Sequence, residues 1–190
     1  MELSIWQLEM IPWYAFLIYW VVSAARLKQI KREEAQSGRL FHIAVIVVAF
    51  YLLFRTSFGI EILDRRFIPD SLTIRYLGIV LTWLGVGFAI WARYAIGANW
   101  SGRVTLKVDH QLVQSGPYAF VRHPIYTGLL LANVGAALFI GRWRCLLAIV
   151  IFLVEISRKA LKEEGFMLSE FGDRYAEYRK RAGFLVPKFH

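Results

Sequence analysis

Apolar residues come in long blocks along this chain, and the charged ones gather between them. A helix that crosses a bilayer needs roughly 20 mostly apolar residues. Leu8 to Ala25 forms such a block, with Trp6, Trp13, Tyr14, Tyr19 and Trp20 placed to act as interfacial anchors. Leu40 to Phe58 forms a second, broken only by Arg55 near its end. Leu72 to Ala95 forms a third, and its Gly78, Gly85 and Gly87 are small enough to let neighbouring helices approach closely. Two shorter blocks follow, Ile125–Ile140 and Trp143–Ile156, separated by Gly141 and Arg142. Each is at or below the lower limit for a full crossing, so the pair predicts a tight helical hairpin, tilted or partly inserted. Residues 157–183 change pattern: Met167, Phe171, Tyr175 and Tyr178 recur at spacings of four, four and three, which predicts an amphipathic helix. The expected fold is therefore an all-α integral membrane protein of about five transmembrane helices, with a short helical hairpin and a C-terminal cytoplasmic amphipathic helix. A single membrane domain would cover residues 1–190, with three spanning helices in 1–96 and the loop, hairpin and last helix in 97–190.

Composition sharpens this picture. The 190 residues are 57% hydrophobic and 19% charged, with a formal net charge of +9. The basic residues flank apolar spans and form no stripe on a soluble face, which argues against nucleic acid as the partner. Arg26, Lys28, Lys31, Arg32 and Arg39 sit after the first block, whereas the N-terminal tail holds only Glu2 and Glu9. By the positive-inside rule the N-terminus lies outside, and residues 97–124 and the C-terminal tail face the cytoplasm. The tail agrees, with Arg158, Lys159, Lys162, Arg174, Arg179, Lys180, Arg181 and Lys188. Arg142 and Arg144 fall on the wrong side of this scheme, and they are the reason for expecting incomplete insertion of the hairpin. The first block lacks a basic leading region and a cleavage site, so it reads as a retained helix. The lone Cys145 excludes an internal disulfide and a multi-cysteine zinc site, and the four scattered histidines give no metal pattern. Gly85-Val86-Gly87 lies inside a span, so no Rossmann fingerprint is present, and Walker, Gly-x-Ser-x-Gly and His-Glu-x-x-His motifs are missing.

Chemistry concentrates in two segments expected on the cytoplasmic side. Residues 97–128 hold a short β-like stretch, Arg103–Val108, and a turn at Ser115-Gly116-Pro117. The cluster Arg122-His123-Pro124-Ile125-Tyr126 stands at the mouth of the fourth block. Pro124 suits the first turn of a helix, having no N–H to lose there. Arg122 alone would read as a snorkelling anchor and His123 alone as structural, but with Tyr118 and Tyr126 they exceed what anchoring needs. Glu163 shares the apolar face with Met167 and Phe171, and Glu164 lies beside it. A carboxylate there is costly unless it is paired, so one of the two either opens to solvent or meets a cation such as Arg122, His123 or a ligand ammonium. Arg93 lies near the end of the third block among apolar neighbours, deep enough to pair internally or to snorkel. Asn99-Trp100-Ser101 reads as an anchor and a cap.

The run Leu112-Val113-x-x-Gly116-Pro117-Tyr118-x-x-x-Arg122-His123-Pro124-x-Tyr126-x-Gly128 resembles the signature of the isoprenylcysteine carboxyl methyltransferase family. So does Glu163-Glu164-x-x-x-Leu168-x-x-Phe171-Gly172-x-x-Tyr175-x-x-Tyr178, closing on Pro187. Asn99, Trp100, Ser101 and His110 are similar to the stretch just upstream in prokaryotic members. The resemblance covers roughly residues 97–187 and implies a membrane methyltransferase that uses S-adenosylmethionine without a Rossmann domain. It implies that the cofactor is held around His110, Leu112, Val113, Gly116, Tyr118, His123, Pro124 and Tyr126, closed over by Glu163 or Glu164. It also implies a lipophilic or lipidated acceptor entering from the bilayer, met by Arg122 as a carboxylate clamp, with Asn99, Trp100 and Arg93 near the substrate. On this basis Arg122→Ala is expected to abolish turnover while leaving cofactor binding largely intact. No metal partner is expected. Phospholipid N-methyltransferases, enzymes acting on lipophilic thiols, and NADPH-dependent membrane reductases share the architecture and stand as alternatives. A small membrane scaffold would leave both motifs without a task.

Overall fold

The computed structural model describes residues 3–24, 30–33, 36–97, 105–107 and 112–188. Helices α1 (Ile5–Ala24), α2 (Gln36–Phe54), α3 (Glu61–Asp64), α4 (Leu72–Ile96), α5 (Pro124–Ile140), α6 (Trp143–Phe171) and α7 (Asp173–Arg181) account for most of them. A short antiparallel pair, β1 (Ile30–Glu33) with β2 (Thr105–Lys107), joins the two loops at one end of the bundle, so a strand lies within the β-like stretch Arg103–Val108. α1 and α4 are long and apolar enough to cross a membrane, while α5 and the apolar stretch Leu40–Phe54 of α2 are shorter. Leu17, Ile18, Val21, Val22, Leu77, Val80 and Leu84 are exposed, as befits helices whose outer faces meet lipid rather than water.

The α4–α5 pair is the backbone of the bundle, and small residues make it possible. A Cβ placed on Gly85 would lie 2.4 Å from the Ala132 nitrogen and 2.5 Å from the Gly128 oxygen. One placed on Gly78 would lie 2.6 Å from the Gly135 oxygen. The two helices thus touch through their main chains, a contact that any side chain would prevent. Gly87, by contrast, faces open space. The close approach expected of all three glycines therefore belongs to Gly78 and Gly85, and it is made within the chain. α2 packs chiefly on α6, and α1 on α4.

α1 departs from expectation in two places. Trp13 is buried against Phe50 and Phe54 of α2 and is not an interfacial anchor. Glu9, assigned by sequence to the N-terminal tail, lies inside α1 and is fully buried. It survives there because Thr82 and Trp13 bond its Oε1, at 3.0 and 3.4 Å. Pro12, within the same helix, cannot donate to the Leu8 carbonyl one turn back; the Trp83 indole N–H of α4 takes that place at 3.0 Å.

The hairpin also differs from its sequence reading. α6 does not stop near Ile156 but runs unbroken for 29 residues to Phe171, and only Gly172 (φ 50°) separates it from α7. The amphipathic segment 157–183 is thus the second half of α6 plus α7, not one helix of its own. Gly141 (φ 73°) turns the chain between α5 and α6 in a left-handed conformation that suits a residue without Cβ. Arg142 and Arg144 at this turn are held by the α2–α4 connection. Arg144 Nη1 donates to Asp64 at 2.8 Å and its Nη2 donates to the carbonyls of Arg55 and Thr56; Phe67 N–H donates to the Gly141 carbonyl at 3.0 Å. The turn is thereby joined to the segment that leads into α4.

Candidate functional site

At the opposite end of α4 the chain passes through a 3-10 turn, Gly116–Ala119, and enters α5 at Pro124. Pro124 occupies the first turn, as its missing N–H predicts, and His123 is the N-cap. Arg122, His123 and Tyr126 thereby project from the start of α5 toward the second half of α6, where Glu163 and Glu164 stand.

Glu164 is the buried member of the acidic pair, 3% exposed. Its Oε1 accepts from Arg122 Nε at 2.7 Å and lies 3.2 Å from His123 Nε2, while Oε2 faces Arg179 Nε at 3.3 Å. Burial alone would push its carboxyl up, but the hydrogen bonds of His123 and Arg122 outweigh it and hold the group below the usual carboxylate range. Glu163 is more open. It accepts from the Tyr126 hydroxyl at 2.8 Å and lies 3.6 Å from His123 Nδ1. His123 is stacked on Tyr126, with ring centroids 5.7 Å apart and planes 13° off parallel, and Phe184 abuts it edge-on. The five residues of the two motifs thus form one connected set, and the structure separates the glutamates: Glu164 is enclosed, Glu163 accessible.

Arg122 does more than pair with Glu164. Its Nη1 donates to the carbonyls of Arg179, at 3.2 Å, and Ala182, which end α7 and would otherwise lack partners. Its backbone N–H donates to the Gly183 carbonyl at 2.8 Å. Val121 and Gly183 form a parallel bridge, and the Thr127 hydroxyl donates to the Leu185 carbonyl at 2.7 Å. The C-terminal segment is thereby strapped across the mouth of α5. Tyr175, Tyr178 and Ala182 pack with Leu112, Met167, Leu168 and Phe171, the apolar face expected from their spacing. The Tyr178 hydroxyl donates to the Tyr118 carbonyl at 2.7 Å, and burial pushes the hydroxyls of Tyr118, Tyr175 and Tyr178 well above their ordinary range. Val113 and Tyr118 join Ala92 and Ile125 in a small apolar cluster at the end of α4.

Among the described residues, Arg93 bonds at the ends of α1 and α4. It is 3% exposed, its Nη1 donates to the Gly97 carbonyl at 2.9 Å and its Nη2 to the Ser23 carbonyl at 3.0 Å, so it ties the ends of α1 and α4 together. Asn99, Trp100 and His110 lie outside the described residues.

One group was misread from the sequence. Lys159, counted by sequence among the basic residues of the cytoplasmic C-terminal tail, is buried in α6. It lies one turn before Glu163 and so shares its face. Its Nζ is 5.7 Å from the centre of the Tyr126 ring and 3.5 Å from His42 Nε2 of α2. The helical spacing to Glu163 was the available signal. The link to His42 spans 117 positions and has no local signature.

A helical bundle with two exposed-faced spans and a wired cluster of arginine, histidine, tyrosine and glutamate at one rim defines a membrane-associated protein with a polar site at the bundle's end. The sequence profile of the phospholipid methyltransferase family matches residues 73–174, more than half of the chain and the whole of this cluster up to α7. The chain belongs to that family. It is 29% identical to the protein-S-isoprenylcysteine O-methyltransferase of Schizosaccharomyces pombe over 163 residues, covering 80% of this chain and 68% of the relative. With the human protein of the same name it shares 30% identity over 131 residues, covering 66% of this chain and 46% of the relative. A solved structure of the eukaryotic intramembrane Ras methyltransferase, isoprenylcysteine carboxyl methyltransferase, superposes with a TM-score of 0.61 at 23% identity, over 77% of this chain and 52% of that one. The chain spans about half to two thirds of the length of these relatives. The resemblance read from the two motifs is borne out by these matches.

Proposed function

We propose that this protein is a multi-pass integral membrane methyltransferase that transfers a methyl group from S-adenosylmethionine to the terminal carboxylate of an isoprenylcysteine-like lipid. In this reading α1, α2, α4, α5 and the first half of α6 cross the bilayer, the N-terminus is outside, and residues 97–190 form the catalytic part at the cytoplasmic face. The basic loop after α1 and the main-chain contact of α5 with the long apolar α4 support that arrangement.

The observation that carries the proposal is the pairing of an accessible carboxylate with a buried cation on one face of α6. Glu163, held by Tyr126, suits the cationic methyl donor, and Lys159 one turn away suits an anionic acceptor. Tyr126 and His123 stand against Glu163, and the motif resemblance assigns Leu112, Val113, Gly116, Tyr118 and Pro124, with His110, to the same donor. The donor brings a methyl carbon bonded to positively charged sulfur; as the acceptor oxygen bonds that carbon, the carbon–sulfur bond breaks and its electron pair stays on sulfur. A carboxylate acceptor needs no general base. What remains for the chain is alignment and exclusion of water, and positioning contributes ~7–11 kcal/mol in well-oriented systems.

Arg122 enters this scheme as an organiser. Its Nε and Nη1 are engaged by Glu164 and the α7 carbonyls, leaving Nη2 as the donor available to an acceptor carboxylate. Arg122→Ala therefore loosens the strap as well as the acceptor, and cofactor affinity falls together with turnover. That replaces the expectation that cofactor binding would survive.

The test is calorimetry of detergent-purified protein against S-adenosylmethionine, S-adenosylhomocysteine and NADPH, followed by methyl transfer to prenylcysteine analogues, phosphatidylethanolamine and hydrophobic thiols. Binding of the sulfonium donor with ester formation on prenylcysteine supports the proposal. NADPH binding alone overturns it. The family's description favours a phospholipid as the second acceptor class. A neutral amine would need a proton removed, and His123 or Glu163 is placed for that.

A further inference from the structure

α2 sends one polar side chain toward the site from outside both motifs. His42 Nδ1 lies 2.8 Å from Glu155 Oε1, and Glu155 is 3% exposed. Arg158 grips the same carboxylate, its Nε 2.9 Å from Oε2 and its Nη2 against Oε1. An ionised carboxylate only accepts hydrogen bonds, so the proton of a neutral His42 is on Nδ1. Nε2 is then bare and can only accept. The donor facing it is Lys159 Nζ at 3.5 Å, a long contact of the sort found in unliganded sites.

We infer that His42 is a positioning residue, fixed by Glu155 in the Nδ1–H tautomer so that its Nε2 aims the Lys159 ammonium at the acceptor carboxylate. The inference rests on the methyltransferase reading above for the identity of the acceptor. The arrangement Glu155–His42–Lys159 is that of an oriented imidazole: one nitrogen is committed to a buried acid, and this sets what the other can do. It gives α2 a part in acceptor recognition.

The arrangement is sensitive to protonation. The charged and titratable groups facing His42 are Glu155, Arg158, Lys159 and Glu163 from α6, with Tyr126 of α5 behind Lys159. When His42 takes a second proton, Nε2 becomes a donor, its bond with Lys159 is lost, and two cations stand 3.5 Å apart. The acceptor's KM should then rise while affinity for S-adenosylhomocysteine holds.

The experiment uses the full chain in detergent with a prenylcysteine analogue, following KM and kcat across pH. Wild type is expected to lose acceptor affinity on the acid side. His42→Gln keeps an acceptor for Lys159 and cannot titrate, so its KM should stay near wild type and lack the acid limb. His42→Leu should raise KM about tenfold with kcat and S-adenosylhomocysteine affinity unchanged. An unchanged KM in His42→Leu, or the same acid limb in His42→Gln, overturns the inference. Imidazole nitrogen NMR of wild-type His42 gives a readout independent of turnover and of any variant's folding: a proton on Nδ1 supports the inference and a proton on Nε2 overturns it. Failure of the wild type to bind S-adenosylhomocysteine would instead defeat the methyltransferase reading, and the tautomer would still decide the bond to Lys159.

Discussion

Replacing Glu164 by glutamine removes one charge from the centre of the motif cluster and changes little in volume. The carboxylate pairs with Arg122, which is 10% exposed, and touches His123, both enclosed; its third partner, Arg179, is 44% exposed. Breaking a buried pair by removing one member costs about 3–5 kcal/mol, whereas a pair open to solvent contributes about 0–1 kcal/mol. The Arg122 and His123 contacts thus dominate. Arg122 keeps its two α7 carbonyls, which places the loss toward the lower figure, about 3 kcal/mol. For a chain of this size that lowers Tm by about 6–12 °C. The assay is thermal unfolding in one detergent at neutral pH, repeated in acid. Because the folded carboxyl is held below its ordinary value, its stabilisation is present in full above about pH 4.3 and disappears as pH falls through the lower folded value. Wild type and Glu164→Gln should therefore converge in acid. A variant within about 2 °C of wild type at neutral pH, or a gap that does not narrow as the solution is acidified, would refute the reasoning.

Gly85→Ala should unfold the α4–α5 seam, costing at least about 1–3 kcal/mol since its Cβ would meet main-chain atoms, while Gly87→Ala should be neutral; equal melting temperatures for the two would contradict the packing. Glu163→Gln should weaken S-adenosylmethionine binding tenfold or more with Tm nearly unchanged, because Glu163 is the accessible carboxylate; calorimetry decides, and undiminished affinity counts against its role. Asp64→Ala should destabilise the protein through the stranded Arg144, which is 2% exposed, read as a Tm fall without loss of donor affinity.

How much of this was legible follows from the range of each interaction. The helices came from runs of apolar residues, and the ends of α1, α2, α4 and α5 shifted by only a few positions, because lipid imposes a length on a span. The cluster of Arg122, His123, Tyr126, Glu163 and Glu164 was legible as motifs; which glutamate is enclosed was not, because that depends on how α5 meets α6. Glu9 and Lys159 were misplaced for one reason. Each counts by its charge as part of a tail, yet Glu9 has a partner 73 positions away and Lys159 one 117 positions away, both inside the bundle. Gly87 failed oppositely: it has the right residue type but faces away from α5. The division at Ile156 was misjudged because hydropathy changes there while helical geometry does not.

The uninterrupted course of α6 has a mechanical consequence. Arg144 at one end is riveted to Asp64, and Glu164, twenty positions on, is riveted to Arg122. At about 1.5 Å per residue these fastenings stand about 30 Å apart, close to the thickness of a bilayer's hydrocarbon layer. A straight rod pinned at both ends cannot shorten. In a thinner membrane it must lean, and the rim that holds the cluster leans with it, so the protein carries its own gauge of the membrane it suits.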